Sequence, residues 1–181
     1  MHETSVDGGA QHLAVLYGSD DFIIDRVASF IAEGLAGGEL VLVVCTVPHW
    51  SLLARRLESG AVPYGRATGD RRLVFVDAQE VLDTISENGS VSETRFGEML
   101  EPLLPAGVKT RIYGEVVSLL AARGDIDGAI RIERLGHKLA HTRGISILCG
   151  YQSNATRPLS DAATAQVLQL HDRTSVQLDP Q

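Results

Sequence analysis

Residues 12–46 read HLAVLYGSDDFIIDRVASFIAEGLAGGELVLVVCT, and this stretch decides the fold. The apolar run 13–17 predicts a strand, and the helically spaced apolar residues after it predict a helix that Ser19 or Asp20 caps. The run 39–46 is continuous and rich in leucine and β-branched residues, as is typical of a strand buried on both faces of a parallel sheet. The unit is therefore strand, helix, strand, as in nucleotide-binding α/β proteins.

The turn after the first strand, YGSDDFIID, is where such proteins hold a phosphate. A phosphate loop offers backbone N–H groups and a lysine to the anion. This turn has one glycine, no lysine and two adjacent aspartates. Asp20 and Asp21 would repel an anion and compete with it for the helix N-terminus. The strand–helix–strand unit therefore resembles that of nucleotide-binding proteins but lacks the groups that bind phosphate.

Further apolar runs alternate with helical segments along the chain. Strands are predicted at 73–76, 110–113, 145–151 and 175–178. Helices are predicted at 48–57, 79–86, 93–104, 115–123, 125–141 and 161–171. Residues 1–10 are polar and glycine-rich and are predicted to be a disordered tail, and 11–181 are expected to form a single domain. The alternation predicts an α/β fold with a mostly parallel central sheet and helices on both faces.

The composition is that of an ordinary globular protein, with 44% hydrophobic and 22% charged residues. The net charge is −7 and the basic residues are scattered, which argues against nucleic acid and against an anionic membrane surface as partners. The apolar stretch 40–45 is far shorter than the ~20 residues that span a bilayer. The N-terminus has no signal region, so a cytoplasmic location is expected.

The candidate ligand site follows from a rule of parallel sheets, in which ligands bind outside the carboxyl ends of the strands. The predicted ligand-binding residues are Tyr17, Ser19, Asp20, Cys45, Thr46, Arg111, Tyr113, Glu115 and Tyr151. Arg111 can clamp a carboxylate and Glu115 can coordinate a cation, but an internal Arg–Glu pair that holds the strand to its helix explains both equally well. Tyr17 and Tyr151 suit either a pocket wall or a core edge.

The remaining candidates favour structural roles. Glu133, His137 and His141 recur every four residues, but the zinc motif HExxH lacks its glutamate here, so a solvated helix face is favoured. His12 opens the first strand away from the expected pocket, which favours packing or an interface. Cys45 and Cys149 lie in predicted buried strands without a CxxC pair, which favours an inert core role over redox or metal sensing. No metal and no cofactor are predicted.

Five segments occur in one order: HLAVLY, FIAEGLAGGELVLVV, RIYGEVVSLL, AIRIERLGHKL and ISILCGY. Together they resemble the MEDS sensory domain (methanogen/methylotroph, DcmR-type) over about residues 12–171. The resemblance implies a RecA/KaiC-like three-layer sandwich without a Walker A loop. It also implies a sensory module that works with histidine kinases, anti-sigma factors or transcriptional regulators and senses small organic molecules. Gly136 and His137 stand where a tryptophan and an asparagine are usual after the glutamate, here Glu133.

The leading hypothesis is a non-catalytic, cytoplasmic sensory domain that binds a small organic molecule, a signalling partner protein, or both. A ligand at the strand ends would favour one arrangement of the surrounding loops, which a separate partner protein would recognise. Two alternatives are a divergent nucleotide-dependent enzyme and a ligand-free interaction scaffold. The scaffold, a homodimer for example, would have Tyr17 and Tyr151 packed together in a closed pocket.

Overall fold

The computed structural model describes residues 11–60, 64–153 and 161–177. The predicted disordered tail at 1–10 and the predicted loop around Asn154 and Pro158 lie outside these residues. The last predicted strand is described as far as residue 177.

Six strands form one sheet in which every neighbouring pair is parallel. The described residues contain eight strands in all: β1 (His12–Tyr17), β2 (Leu40–Cys45), β3 (Leu73–Asp77), β4 (Ser86–Glu87), β5 (Ser90–Val91), β6 (Thr110–Gly114), β7 (Ser146–Gln152) and β8 (Arg173–Gln177). The order in the sheet is β3-β2-β6-β7-β1-β8, and β4 and β5 form a separate antiparallel hairpin. The prediction of an α/β fold with a parallel central sheet is confirmed.

Helices cover both faces of this sheet. They are α1 (Asp20–Ala36), α2 (Val47–Ser59), α3 (Tyr64–Gly69), α4 (Ala78–Ile85), α5 (Glu93–Leu100), α6 (Val116–Ala122), α7 (Ile126–Arg143) and α8 (Asp161–Gln169), with a 3₁₀ turn at Glu101–Leu103. The predicted helix 93–104 is therefore split where Pro102 stands in the 3₁₀ turn. Sequence analysis did not predict α3, which has six residues and two glycines, or the β4–β5 hairpin. No helix among the described residues is both long enough and apolar enough to cross a membrane.

Alternation along the strands divides the buried side chains into two cores. The first face of the sheet carries Val15, Val43 and Leu148 and packs under α1, α2 and α3. The second face carries Leu42 and Ile147 and packs under α4 to α8. A residue and its neighbour in the same strand therefore belong to different cores, and this separation decides which candidate residues can meet.

Candidate functional site

A polar network lies at the carboxyl edge of the sheet on the first face, and Glu115 is its centre. Glu115 follows β6 directly and its side chain is almost fully buried. One carboxylate oxygen, Oε1, accepts from the Tyr113 hydroxyl at 2.7 Å and lies 2.5 Å from Nδ1 of His49. The other, Oε2, accepts from the backbone N–H of Thr46 at 3.0 Å. The protein's own groups thus engage both oxygens.

His49 is a member of this network that sequence analysis missed. It lies in the first turn of α2, and Nε2 faces Oδ1 of Asp20 at 3.4 Å across the edge. The hydrogen bond with Glu115 raises the pKa of His49 above its usual value, against the opposing effect of burial. The available signal was the position of His49, four residues after the end of β2 and thus beside the same edge as Glu115.

The other candidates at this edge cap a helix or lie buried in the first core. Ser19 caps α1, since its Oγ accepts from the backbone N–H of Phe22 at 3.4 Å. Burial raises the pKa of the Cys45 thiol, and Glu115 raises it further, which keeps the thiol protonated. Burial likewise raises the pKa of Tyr17, whose ring lies 6.4 Å from that of His49. Ligand binding by these residues stays a prediction.

Arg111 does not belong to the carboxyl edge, and the predicted pairing of Arg111 with Glu115 is wrong. Arg111 is the second residue of β6, so it lies two residues further from the edge than Tyr113, about 6.6 Å along the strand. Its Nε donates to Glu39 at 2.5 Å, and its Nη1 donates to the backbone oxygen of Phe30 at 3.1 Å. Its Nη1 also lies 3.2 Å from Oε2 of Glu33 in α1. Arg111 therefore connects β6 to α1 and to the residue before β2 through carboxylates other than Glu115.

Tyr17 and Tyr151 lie on adjacent strands, as predicted, but face opposite cores. The register pairs Leu16 with Tyr151, so Tyr17 is one residue out of step and projects from the other face. Tyr17 belongs to the first core and Tyr151 to the second. The two rings therefore cannot pack together, and the scaffold alternative loses the closed pocket on which it depended.

Beneath α7, on the second face, four buried residues form what we call the buried cluster: His12, Glu133, Cys149 and His171. Nε2 of His12 lies 3.0 Å from Oε2 of Glu133, and Nε2 of His171 lies 3.1 Å from the same oxygen. Cys149 Sγ lies 3.5 Å from His12 Nε2 and 3.7 Å from Glu133 Oε2. Four atoms of metal-ligating type thus lie within 4.8 Å of one another.

Four separate elements position the buried cluster. His12 opens β1, Cys149 lies in β7 beside it, Glu133 lies midway along α7, and His171 follows α8. The rings of His12 and His171 stack with centroids 4.1 Å apart. The hydroxyl of Tyr151 donates to Oε1 of Glu133.

The solvated helix face expected for Glu133 is a prediction that the structure overturns, because this side chain is 1% exposed. Burial alone would raise its pKa, but when their Nε2 atoms carry protons, His12 and His171 outweigh burial and lower the pKa to about 2. Two turns further along the same helix, the side chain of His141 is exposed, and its Nε2 lies 3.4 Å from Oδ1 of Asp172. Glu133 therefore faces the second core, whereas His141 faces solvent.

An apolar cavity of about 60 Å³ adjoins the buried cluster. Side chains of the sheet, α5, α6 and α7 line it: Val44, Phe96, Leu100, Ile112, Val117 and Ile132. Glu133 and Cys149 lie in its wall where it meets the buried cluster, and Gly136 leaves room beside them. A cavity of about 10–15 Å³ holds one water, so this cavity has space for a molecule of several heavy atoms.

Comparisons with known proteins agree with the fold and indicate the family. The model of the family "MEDS: MEthanogen/methylotroph, DcmR Sensory domain" matches residues 11–172. A solved structure titled "Structural study of Project ID PH0250 from Pyrococcus horikoshii OT3" is similar with a TM-score of 0.56 at 8% identity, over 94% of this chain and 83% of that chain. At this identity the likeness concerns the fold alone, and kinship with RecA/KaiC ATPases stays a prediction. No curated protein matches the sequence. Because the family model covers most of its length, this chain belongs to the MEDS sensory-domain family.

Proposed function

We propose that this chain is a sensory domain that binds a small, largely apolar organic molecule in the cavity under α5 and signals its presence to a separate partner protein. The observation that carries the proposal is the cavity itself, which is apolar except for Glu133 and Cys149 on its wall. Ligand pockets combine an apolar lining with a few polar groups that fix orientation. Membership of a sensory family supports the regulatory part of the role.

The chemistry of the lining selects the class of ligand. A short carbon chain suits the apolar lining, and a single uncharged hydroxyl can lie at the end of the cavity beside Glu133 and Cys149. An anion would lose its hydration in a cavity whose lining residues include no cationic side chain. A short primary alcohol should therefore bind better than the carboxylate of the same chain length.

The signal would leave through α5, because this helix forms the outer wall of the cavity. Phe96 and Leu100 reach inward to the cavity, whereas Glu93, Arg95 and Glu98 are exposed on the same helix. A ligand that contacts the inner side favours the position of α5 that fits it best. A partner that touches the outer side recognises that position.

The test is a thermal-unfolding titration with butan-1-ol and with butyrate as the charged control. A ligand at a hundred times its Kd stabilises the folded state by about 2.7 kcal/mol. For a chain of this size, that stabilisation raises Tm by about 5–11 °C. We expect butan-1-ol to raise the Tm of the wild type and butyrate to leave it unchanged.

A matched pair of variants separates the cavity from general solvent effects. Val117→Phe fills the cavity, whereas Val108→Phe makes the same change at an exposed position. The alcohol should stabilise the wild type and Val108→Phe, but not Val117→Phe. Equal shifts in all three proteins would remove the cavity as the binding site. Native mass spectrometry of freshly purified protein would then identify any molecule retained elsewhere.

A further inference from the structure

The two histidines of the buried cluster point their Nε2 atoms at one carboxylate oxygen. Nδ1 of His12 lies 2.8 Å from the carbonyl oxygen of Leu170, and Nδ1 of His171 lies 2.9 Å from that of Val167. Because a carbonyl oxygen only accepts, each Nδ1 carries the hydrogen, and the Nε2 of a neutral ring then presents a lone pair. Among the described residues, Nε2 of His171 has no hydrogen-bond partner although it is buried.

These lone pairs face a negative group at short range in a site that water does not reach. Two imidazole nitrogens at 3.0 and 3.1 Å from one carboxylate oxygen repel it unless positive charge lies between them. We propose that His12, Glu133, Cys149 and His171 form a binding site for a divalent transition-metal cation, with Zn²⁺ as the preferred ion. The imidazole, thiolate and carboxylate groups gathered here are all common zinc ligands.

Four of the six distances between the ligand atoms are close to those of tetrahedral coordination. Zinc binds nitrogen and oxygen at about 2.0–2.2 Å and sulfur at about 2.3 Å, which places neighbouring ligand atoms of a tetrahedron roughly 3.3–3.7 Å apart. The contacts of Glu133 Oε2 and Cys149 Sγ within the cluster measure 3.0–3.7 Å. All four atoms lie within 4.8 Å of one another, so side-chain shifts of about 1 Å or less would bring the remaining pairs to tetrahedral distances.

The charges balance when the ion binds. Two neutral imidazoles, the Glu133 carboxylate and the Cys149 thiolate carry a total charge of −2, which a divalent cation neutralises inside the core. The proton of the Cys149 thiol passes to solvent as the sulfur–metal bond forms. A buried site without net charge avoids the large desolvation cost of an isolated ion.

Outer hydrogen bonds hold the ligands in the orientation that a metal site requires. Metal-binding histidines nearly always donate their other ring N–H to a carbonyl, a carboxylate or water, as His12 and His171 do here. The Tyr151 hydroxyl occupies Oε1 of Glu133 and leaves Oε2 directed at the cluster. Loss of such an outer contact weakens metal binding by about 10–100-fold, which is the expected effect of Tyr151→Phe.

The test is a metal titration of the full chain after removal of metals by a chelator under reducing conditions. Co²⁺ is the spectroscopic probe, because a thiolate ligand gives a sulfur-to-cobalt charge-transfer band in the near ultraviolet. We expect one equivalent of Co²⁺ to bind, with this band, and one equivalent of Zn²⁺ to displace it. The chain has two cysteines, so the band should persist in Cys45→Ala and vanish in Cys149→Ala.

Matched variants connect the metal to the remaining ligands. His171→Gln should weaken Zn²⁺ binding by more than about 100-fold, beyond the effect of an outer contact. His141→Gln changes an exposed histidine on α7 and should bind as the wild type does. If Cys149→Ala does not fold, Cys45→Ala still assigns the sulfur, since only Cys149 then remains to give the band.

Two results would overturn the proposal: a folded wild type that binds no Co²⁺ with a thiolate band, or a band that survives in Cys149→Ala. In the first case, protons rather than a metal hold the buried cluster together. The titration contains no organic molecule, so its outcome is independent of ligand binding in the cavity. Either proposal can therefore fail while the other stands.

Discussion

The hydroxyl oxygen of Tyr113 lies 2.7 Å from the point that a Cβ on Gly150 would take. The two residues sit on neighbouring strands, and the buried ring of Tyr113 crosses the bare backbone of β7 to reach Glu115. Any side chain at position 150 must move that ring. The hydrogen bond between Tyr113 and Glu115 thus depends on a glycine in the next strand.

Gly150→Ala should lower the free energy of unfolding by about 1–3 kcal/mol, as overpacking of a core does. Chemical denaturation measures the loss. Removal of the hydroxyl in Tyr113→Phe clears the closest contact, so the double variant should lose less than the sum of the two single changes. Gly97→Ala is the control, because a Cβ there meets open space on helix α5, and it should not destabilise the protein. Additive losses in the double variant would contradict this account.

His49 should make stability depend on pH above neutrality. Its pKa in the folded protein is raised, chiefly by the hydrogen bond with Glu115, above the ~6.5 of an unfolded chain. The stabilisation is therefore complete below about pH 6.5 and disappears as the pH rises through the folded pKa. His49→Gln should cost about 1.5–3 kcal/mol at pH 6 and less at pH 9. Urea unfolding at the two pH values gives the difference. Equal costs at both would show that the charge of His49 contributes nothing.

Sequence patterns predicted the sheet because each strand is a short apolar run between breakers. The rule for parallel sheets also placed Asp20, Thr46, Tyr113 and Glu115 at one edge, where the structure has them, since the carboxyl ends of all six strands coincide. The rule failed for Arg111, because it applies to the end of a strand and Arg111 lies near the start of β6.

The buried cluster could not be predicted in the same way. Its members stand at positions 12, 133, 149 and 171 and come together only through the pairing of β1 with β7 and the packing of α7 and α8 on them. No local spacing connects them. The sequence signal for the cluster was a residue with a metal-binding side chain within a buried apolar strand, such as Cys149 in β7. The helical repeat of Glu133, His137 and His141 suggested a solvated face, because the sequence does not tell where α7 meets the sheet.

Arg111→Met should destabilise the protein without affecting binding in the cavity. Its removal leaves the Glu39 carboxylate, 3% exposed, with Lys109 alone, whose side chain is largely in solvent. We expect a loss of about 1–3 kcal/mol, the usual cost of a buried acceptor left without its partner. Arg66→Met changes an exposed ion pair and should lie within about 0.5 kcal/mol of the wild type. Loss of butan-1-ol binding in Arg111→Met would instead give Arg111 a ligand role.

The Arg111 variant should also change the response to acid. Burial raises the pKa of Glu39, but Arg111 and Lys109 outweigh it, and the pKa lies below its ordinary value. This contribution is present above the unfolded pKa of ~4.3 and is lost as the pH falls through the folded value. Acid titration of the wild type should therefore show a loss of stability below about pH 4.3 that is smaller in Arg111→Met. Identical acid profiles would exclude this coupling.

ATP–Mg and GTP–Mg at millimolar concentration should leave Tm unchanged. Asp20 and Asp21 occupy the first turn of α1, and Ser19 already caps this helix. Because both aspartates are negatively charged, the helix N-terminus would repel a phosphate group rather than bind it. A nucleotide at a hundred times its Kd would add about 2.7 kcal/mol of stability, which a thermal scan detects easily. A clear upward shift that Glu115→Gln abolishes would favour the nucleotide-dependent enzyme.

Gly136 opens the cavity at the point where it meets the buried cluster. A Cβ there would lie 3.2 Å from Nε2 of His12 and 3.9 Å from Cδ1 of Ile147. Gly136→Ala gains about 0.5–1 kcal/mol of helix propensity, and the tight contact with His12 offsets this gain. Stability should therefore stay within about 1 kcal/mol of the wild type.

Binding should respond far more than stability to Gly136→Ala. One methyl group in an apolar pocket changes affinity by about 10–200-fold, so butan-1-ol should bind at least ten times more weakly. Gly65→Ala, which adds a methyl group in open space on α3, should bind as the wild type does. Isothermal titration gives both affinities. Unchanged binding in Gly136→Ala would mean that the ligand does not reach this end of the cavity.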